Sequence, residues 1–182
     1  MEFTRTAIPD VVIIDPVVHE DPRGFLMETW QAERFCAVGI DARFVQDVHS
    51  GSVLGTIRGL HYQLLHPQGK LIRAIRGEVF DVAVDIRRSS PTFGRWVGET
   101  LSEGNRRLIW VPPGFAHGFL VLSEFAEIEY RMTDFHAPDD ARTIRWDDPD
   151  IAIAWPFRTD ETPALSAKDQ DGVLLREAEV YA

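Results

Sequence analysis

The sequence predicts an all-β fold, an antiparallel sandwich or barrel with only a few short helices. Short runs of β-branched and aromatic residues recur through most of the chain, and turn residues separate them at intervals of about 8–12 residues. One run, Val79–Ile86, alternates in the way that is typical of a half-buried strand. A length of 182 residues fits one domain with a substantial core, and we expect residues 1–182 to form it.

The N-terminal part of the chain is predicted to contain short strands and one helix. Val11–Ile14 and Val17–Val18 are β-branched runs, and Phe25–Trp30 follows a polar turn as the next strand. Gln31–Gly39 carries apolar residues at helical spacing and ends in glycine, a common helix stop. We therefore expect one short helix before a long series of strands.

Strands are predicted almost throughout the chain beyond Phe44. From about residue 147 the apolar runs stop, which predicts an irregular C-terminal tail with a short helix that Ser166 caps. The clearest strand runs before that point are Leu71–Arg76, Val79–Ile86, Arg95–Leu101, Arg107–Val111, Phe119–Leu122 and Ala126–Met132.

A further strand is expected at Ile57–Gln63, within the most polar part of the predicted barrel. Side-chain alternation along it would place His61 and Gly59 on one face and Arg58 on the other. Glycine beside histidine leaves room for a ligand, so the sequence favours a pocket at His61. The alternative is that His61 is an ordinary hydrogen-bonded core residue.

Charge and cysteine content exclude several classes of function. The net charge of −10 argues against a nucleic-acid partner, although a few clustered arginines can still bind a small anion. Cys36 is the only cysteine, so no intrachain disulfide or thiolate metal cluster can form, and we expect it to be buried or half-buried. The absence of a long apolar run excludes membrane insertion, and the amino terminus lacks a signal-peptide pattern, which predicts a cytoplasmic location.

Metal binding and nucleophilic hydrolysis are only weakly indicated. Pro112-x-Gly114-x-x-His117 matches the second half of the cupin signature, but the first half, a His-x-His pair followed by glutamate, is missing. His49, His61 and His117 therefore lack the expected spacing of three metal donors, and we expect no metal. No Gly-x-Ser-x-Gly elbow and no nucleotide-binding glycine loop occur.

Proton transfer next to a carbonyl suits the remaining polar residues. This chemistry needs a base with a pKa near neutrality, a cation beside the forming enolate oxygen, and an acid on the opposite face. Histidine is the natural base. His61, Lys70 and Tyr130 can fill these three roles, although a tyrosine such as Tyr130 is also a common core residue.

Several blocks of the chain together resemble the dTDP-4-dehydrorhamnose 3,5-epimerase family. They follow one another in register from Thr6 to Asp169, so the resemblance is specific. It implies a cupin-like jelly roll that forms a homodimer, uses no cofactor, and inverts C3 and C5 of dTDP-4-dehydro-6-deoxy-D-glucose. The blocks are Arg58–Gln63, Gly77–Arg87, Ser90–Gly94, Pro113–Phe119 and Leu165–Asp169.

The same resemblance implies roles for individual residues. His61 resembles the base, with Asp169 as its partner, and Tyr130 resembles the acid. Lys70 is implied to lie near the C4 oxygen, where its charge favours the enolate. The implied binding residues are Arg23 and Arg58 for the diphosphate, and Glu28, Gln46, His117 and Lys168 for the rest of the nucleotide-sugar site.

Four residues, at three places in the chain, depart from the family pattern. Val48 replaces an asparagine, Phe135-His136 replaces a pair of tyrosines, and Ala141 replaces a frequent glutamate. These changes leave the base, the acid and the lysine in place but bear on substrate recognition. The alternatives are therefore an epimerase that inverts C3 or C5 alone in a related nucleotide deoxysugar, a nucleotide-sugar-binding cupin without activity, and a metal-dependent cupin.

Overall fold

The computed structural model describes residues 1–157 and 162–182, and strands dominate it. The helices are α1 (Ala32–Ala37) and α2 (Ala167–Gln170), and a 3-10 turn spans Pro138–Asp140. The strands are β1 (Glu2–Arg5), β2 (Val12–Asp15), β3 (Val18–Asp21), β4 (Gly24–Met27), β5 (Gln46–Val53), β6 (Ile57–Gln63), β7 (Lys70–Arg76), β8 (Glu78–Asp85), β9 (Trp96–Ser102), β10 (Leu108–Val111), β11 (Phe115–Val121), β12 (Phe125–Met132) and β13 (Ala141–Thr143).

Two antiparallel sheets form the body of the molecule. One has the strand order β1-β2-β10-β7-β12-β5 and the other β13-β6-β11-β8-β9, so most neighbouring strands are distant in sequence. A core cluster with residues from both sheets, including Ile72, Ile128 and Phe119, lies between them. This arrangement is a cupin-like jelly roll, and the predicted all-β fold class is confirmed. β3 and β4 form a separate two-stranded hairpin.

Strand β8 is buried on both faces, and the prediction of a half-buried strand is wrong. Val79 and Ala83 belong to the core between the sheets. Val82 and Val84, which point the other way, belong to a second cluster with residues of the C-terminal tail such as Leu175. The tail therefore acts as a third layer that covers the outer face of the five-stranded sheet.

The C-terminal tail is attached to that sheet by isolated bridges. Ile144 pairs with Val173, and Arg87 pairs with Tyr181. Within the described part of the tail the only regular element is α2. Its predicted cap is confirmed, because the side chain of Ser166 accepts a hydrogen bond from the backbone N–H of Asp169.

Helix α1 is shorter than the predicted segment because its flanking residues act as caps. The side chain of Gln31 accepts a backbone hydrogen bond at the start, and Gly39 follows the end with a φ of +88°. Phe35 is completely buried, whereas Cys36 is exposed, so the expected burial of Cys36 is wrong. Successive helical side chains point about 100° apart, and only one of this pair can face the core.

No helix in the described ranges is long and apolar enough to cross a membrane.

A β-bulge between β6 and β11 changes which side chains share a face. His117 lies opposite His61, but Phe119 lies opposite Arg58, so two steps along β11 match three along β6. The extra residue shifts the alternation by one position. Arg58 and His61 consequently line the same cavity, and the prediction that they lie on opposite faces is wrong.

Candidate active site

A cavity of about 400 Å³ opens into the barrel, within the size range of sites for small molecules. Side chains from both sheets border it, because β5, β7 and β12 belong to one sheet and β6 and β11 to the other. The site residues expected from the sequence that line this cavity are Gln46, Arg58, His61, Lys70, His117, Tyr130 and Lys168.

His61 is held by Asp169 of helix α2. Its Nε2 lies 2.5 Å from Asp169 Oδ1, and the aspartate side chain is almost completely buried. Two further donors fix this carboxylate: Ser166 Oγ donates to Oδ2 at 2.6 Å, and the backbone N–H of Gly59 donates to Oδ1 at 3.3 Å. The tail thus supplies a rigid hydrogen-bond acceptor behind the imidazole.

The environment of His61 makes it a neutral base. Burial lowers its pKa below the ordinary value, and the nearby charge of Asp169 opposes this shift only in part. An ionised carboxylate can only accept hydrogen bonds, so Nε2 carries the proton. Nδ1 therefore keeps a free electron pair, which can accept a proton from a ligand.

The carboxylate of Asp169 is ionised in this setting. Burial by itself would raise its pKa, but the hydrogen bonds from His61, Ser166 and Gly59 and the nearby imidazole outweigh burial and hold the pKa below its usual range. The pair therefore consists of a neutral imidazole and a charged carboxylate, the state that a general base needs.

Tyr130 is a neutral phenol on the same cavity. Its hydroxyl lies 2.9 Å from Ser50 Oγ, and its ring makes edge contact with the ring of His117, with centroids 6.3 Å apart. Burial raises its pKa to about 12. The hydroxyl consequently stays protonated at neutral pH and can act as a proton donor.

Lys70 is the first residue of β7 and borders the cavity with a half-buried side chain. Burial lowers its pKa to about 8, while the charge of Asp81 opposes this shift. No carboxylate among the described residues forms an ion pair with its ammonium group. A charged and unpaired ammonium at neutral pH is suited to stabilising a negative oxygen.

Asp81 was not among the residues predicted from the sequence. It is completely buried, and both of its carboxylate oxygens lie within hydrogen-bond distance of His117 Nε2, at 3.0 and 2.9 Å. It occupies the inward face of β8 between Val79 and Ala83. A charged residue among apolar inward positions was the signal that could have revealed it, because buried charges require partners.

The cavity is positively charged although the whole chain is acidic. Arg58, Lys70 and Lys168 border it, and no described aspartate or glutamate does so. The guanidinium of Arg58 is held by Ser52 Oγ at 2.9 Å and not by a carboxylate. A net charge of −10 therefore coexists with a local site for an anion.

Arg23 and Glu28, both expected at the site, do not line the cavity of their own chain. Arg23 follows β3 and pairs with Asp21 at the surface, with its side chain 89% exposed. Glu28 pairs with Arg34. The sequence could not reveal that Arg23 and Glu28 lie away from the cavity, because it does not specify the distance between the β3–β4 hairpin and the barrel.

The third candidate metal donor, His49, points away from the other two histidines. It pairs with Glu127 and is largely exposed, because neighbouring side chains on β5 alternate and it is Val48 and Ser50 that line the cavity. Within residues 1–157 and 162–182 no group of three His, Cys, Asp or Glu side chains is placed to hold a metal ion.

Three of the four residues that depart from the family pattern border the cavity. Val48, His136 and Ala141 line it, whereas Phe135 is 64% exposed and does not. Val48, His136 and Ala141 are therefore placed where they can contact a ligand in the cavity, and Phe135 is not.

The jelly-roll fold and this arrangement of side chains define a class of protein: a β-barrel with a cavity for a small anionic molecule, bordered by groups that can accept and donate protons. The family model for dTDP-4-dehydrorhamnose 3,5-epimerase matches residues 5–177. The chain belongs to this family, and it is an isomerase.

Relatives of known name cover the whole chain. It is 53% identical over 182 residues to the dTDP-4-dehydrorhamnose 3,5-epimerase of Pseudomonas aeruginosa, with 100% of this chain and 99% of the relative covered. It is 38% identical to the dTDP-4-dehydrorhamnose 3-epimerase of Streptomyces niveus, with 98% and 86% covered. A crystal structure of the 3,5-epimerase of Legionella pneumophila, in complex with dTDP-4-keto-L-rhamnose, matches with a TM-score of 0.94 and 48% identity over 98% of this chain and 94% of that one.

Proposed function

We propose that this protein inverts C3 and C5 of dTDP-4-dehydro-6-deoxy-D-glucose, without a cofactor, to give dTDP-4-dehydro-L-rhamnose. The observation that carries the proposal is that His61, Tyr130 and Lys70 border one cavity. They supply a neutral base, a protonated acid and a cation, as proton transfer beside a ketone requires.

The reaction begins when Nδ1 of His61 removes a proton from a carbon next to the C4 ketone. The electron pair of that C–H bond moves towards C4, and the ketone oxygen becomes an enolate oxygen. The ammonium of Lys70 stabilises this negative oxygen, and Asp169 stabilises the imidazolium that has formed. The general-base step contributes about 10²–10⁴ in rate.

Inversion follows when a proton is added to that carbon from the opposite side of the sugar ring. The hydroxyl of Tyr130 is the proposed donor, because burial keeps it protonated. The C4 ketone acidifies the C–H bonds at both C3 and C5. One base and one acid can therefore act on both carbons if the sugar shifts slightly between the two steps. After each inversion the imidazolium of His61 gives its proton to solvent and the phenolate of Tyr130 takes one up, so both groups return to their starting state.

The nucleotide diphosphate anchors the sugar in this proposal. Arg58 and Lys168 border the cavity, and guanidinium groups form strong charge-assisted hydrogen bonds with phosphates. His117 and Gln46 add hydrogen-bonding groups on the same wall. Binding energy from the diphosphate orients the ring against the base.

We also propose that the protein is a homodimer in which hairpin β3–β4 contacts the second subunit. Phe25 and Leu26 on this hairpin are 58% and 73% exposed, and such apolar surface is suited to an interface. Arg23 and Glu28 would then reach the nucleotide sugar bound by the partner subunit. Light scattering tests this arrangement, and a clean monomer would contradict it.

The proposal extends to the domain organisation and the location of the protein. We propose that residues 1–182 act as one domain, because the tail supplies Asp169 to the site and covers the five-stranded sheet. We propose a cytoplasmic location, which suits the exposed thiol of Cys36. Cell fractionation tests the location.

One time course by NMR in D₂O tests the reaction. The wild-type protein is expected to introduce deuterium at C3 and C5 of the 4-keto sugar, whereas His61→Ala and Tyr130→Phe lose this activity. Deuterium at C3 alone would instead support the activity named for the Streptomyces niveus relative, and deuterium at C5 alone would indicate a 5-epimerase.

The alternative functions predict different results in this experiment and in two simple companions, a dTDP-binding measurement and a chelation test. Binding of dTDP without deuterium exchange would indicate a nucleotide-sugar-binding protein. Activity that is lost on exhaustive chelation and restored by a metal ion would indicate a metal-dependent cupin. Full activity in both variants would refute the roles assigned to His61 and Tyr130.

A further inference from the structure

Three glutamine side chains on the cavity wall hold the segment that follows β12. Gln68 Nε2 donates to the carbonyl oxygen of Asp134 at 2.9 Å. Gln46 Oε1 accepts from the backbone N–H of His136 at 2.8 Å. Gln63 makes the remaining contacts, and all three glutamines border the cavity. The segment is therefore fixed from both sheets, because Gln46 belongs to β5 and Gln63 to β6.

The orientation of the Gln63 amide is determined by backbone groups. This side chain is buried, and its Nε2 donates to the carbonyl oxygens of His66 at 2.8 Å and Phe135 at 3.1 Å. Its Oε1 accepts from the backbone N–H of Ala137 at 2.8 Å. Carbonyl oxygens only accept and backbone N–H groups only donate, so the opposite orientation of the amide would lose all three bonds.

This amide determines the tautomer of His136. His136 Nδ1 lies 3.2 Å from Gln63 Oε1, which can only accept, so Nδ1 carries the proton. In the neutral ring Nε2 is then an acceptor. The ring borders the cavity, and Nε2 has no hydrogen-bond partner among residues 1–157 and 162–182.

The cavity wall also contains three cationic side chains that donate hydrogen bonds and cannot accept them. Arg58, Lys70 and Lys168 can only donate, and the described wall contains no carboxylate. A sugar nucleotide brings hydroxyl and N–H groups whose protons need acceptors when water is displaced, and an unsatisfied donor weakens binding. The free Nε2 of His136 supplies one of these acceptors.

We propose that His136 is a binding residue that accepts a hydrogen bond from an O–H or N–H donor of the bound sugar nucleotide. The donor is either a hydroxyl group of the hexose or the N3–H of thymine. This inference rests on the proposed function, and it adds a residue that selects for ligands with a proton to donate at this point.

Calorimetric titration with two probes tests the inference. The probes are dTDP and dTDP-glucose, which has no C4 ketone to react. His136→Phe keeps a ring but removes the acceptor, and we expect it to weaken binding roughly 3- to 10-fold, the worth of one neutral hydrogen bond. His136→Gln can place an amide oxygen near the position of Nε2 and is expected to restore most of the affinity.

The two probes distinguish the two possible donors. Weaker binding of dTDP-glucose alone identifies a sugar hydroxyl, and equal weakening with both probes identifies thymine. His66→Phe is the matched control, because the His66 side chain lies near the same segment, is 58% exposed and does not line the cavity. Wild-type affinity of His136→Phe for both probes would overturn the inference.

The tautomer has its own spectroscopic signature. In the free protein at a pH where the ring is neutral, the ¹⁵N shift of Nε2 is expected in the unprotonated range and that of Nδ1 in the protonated range. Ligand binding should shift the Nε2 signal. A protonated Nε2 in that neutral ring would refute the inference.

Failure of the inference is separable from failure of the proposed function. Probe binding that depends on His136, without deuterium exchange in the keto sugar, would overturn only the epimerase activity. Epimerisation with no effect of His136→Phe would overturn only the inference. If the wild-type protein bound neither probe, the inference would be overturned, and the deuterium time course with the keto sugar would decide the proposed function separately.

Discussion

The His61–Asp169 and His117–Asp81 pairs contain the same two residue types, and their imidazoles lie directly opposite each other on β6 and β11. Their surroundings differ. The side chain of His61 is 34% exposed, on the cavity side, whereas that of His117 is 5% exposed. Asp169 shares its oxygens between His61, Ser166 and Gly59, whereas both oxygens of Asp81 meet one nitrogen, His117 Nε2.

This comparison shows that a histidine–aspartate pair does not by itself indicate a base. His61 combines an anchored Nε2 with access to the cavity, so it can exchange a proton with a ligand. His117 is enclosed, and its Nε2 is the hydrogen-bond partner of the buried carboxylate of Asp81, whose charge also affects the pKa values of Lys70 and Tyr130. The difference lies in exposure and in the other partners of each aspartate.

The largest expected contrast is between His61→Leu and His117→Leu. His61→Leu removes the base, and we expect deuterium exchange to fall by about 10²–10⁴-fold with little loss of stability, because Asp169 keeps two other donors. His117→Leu leaves Asp81 buried without its partner, which we expect to cost about 1–3 kcal/mol. Exchange kinetics and chemical denaturation measure the two effects. A folded His61→Leu protein with normal exchange would invalidate the comparison.

The next largest effect is expected for Asp169→Asn. The variant keeps the shape of the side chain but no longer enforces the tautomer that leaves Nδ1 free, and we expect kcat to fall by about 10–100-fold. Asp81→Asn serves as the matched control and should change kcat less while lowering stability. Equal losses of kcat in the two variants would show that the pairs act as one unit.

The pH dependence of kcat/KM is expected to distinguish the effects of Asp169 and Asp81. In the proposed reaction His61 must be neutral and Lys70 charged, so the rate should rise with pH through the pKa of His61, which burial holds below the ordinary value of 6.5. It should then fall as Lys70 loses its proton near pH 8. The wild-type profile is therefore expected to be bell-shaped.

Burial lowers the pKa of His61 and of Lys70, and a nearby aspartate opposes each shift: Asp169 at His61 and Asp81 at Lys70. Removing the charge of Asp169 should move the acid limb to lower pH, because that charge raises the pKa of His61. Removing the charge of Asp81 should move the alkaline limb to lower pH, because that charge raises the pKa of Lys70. An alkaline limb that stays in place in Asp81→Asn would mean that Lys70 does not titrate there.

The smallest effect is expected at a surface histidine–carboxylate pair, His49 and Glu127. His49 Nε2 lies 3.1 Å from Glu127 Oε2, but the side chain of His49 is 55% exposed on the outer face of β5. His49→Leu should change stability by no more than about 0.5 kcal/mol and leave exchange unchanged. A large loss of activity would show that this surface is connected to the site.

Much of the site could be predicted from short segments of sequence. His61, Lys70 and Tyr130 stood out because their side chains suit the roles of base, cation and acid, and the cap of α2 by Ser166 follows from local hydrogen bonding. These features depend on nearest neighbours along the chain. They could therefore be recognised without knowing the partner strands.

Other features depended on segments distant in sequence. Alternation along β6 put Arg58 on the wrong face, because the bulge arises only from pairing with β11. The burial of β8 on both faces requires the tail, which begins some sixty residues later. The role of Asp81 depends on His117 across the adjacent strand, and no local pattern specifies that contact.

The sequence by itself determined the all-β class, the approximate positions of the strands and the residue types available for acid–base chemistry. These follow from side-chain periodicity and from the intrinsic chemistry of each group. Only the tertiary structure decided that Arg58 shares the cavity with His61, that Asp81 holds the enclosed His117, and that Arg23 and Glu28 lie outside the cavity of their own chain. Burial and neighbouring charges alter each pKa and the access to each group, and both arise from contacts between residues far apart in the chain.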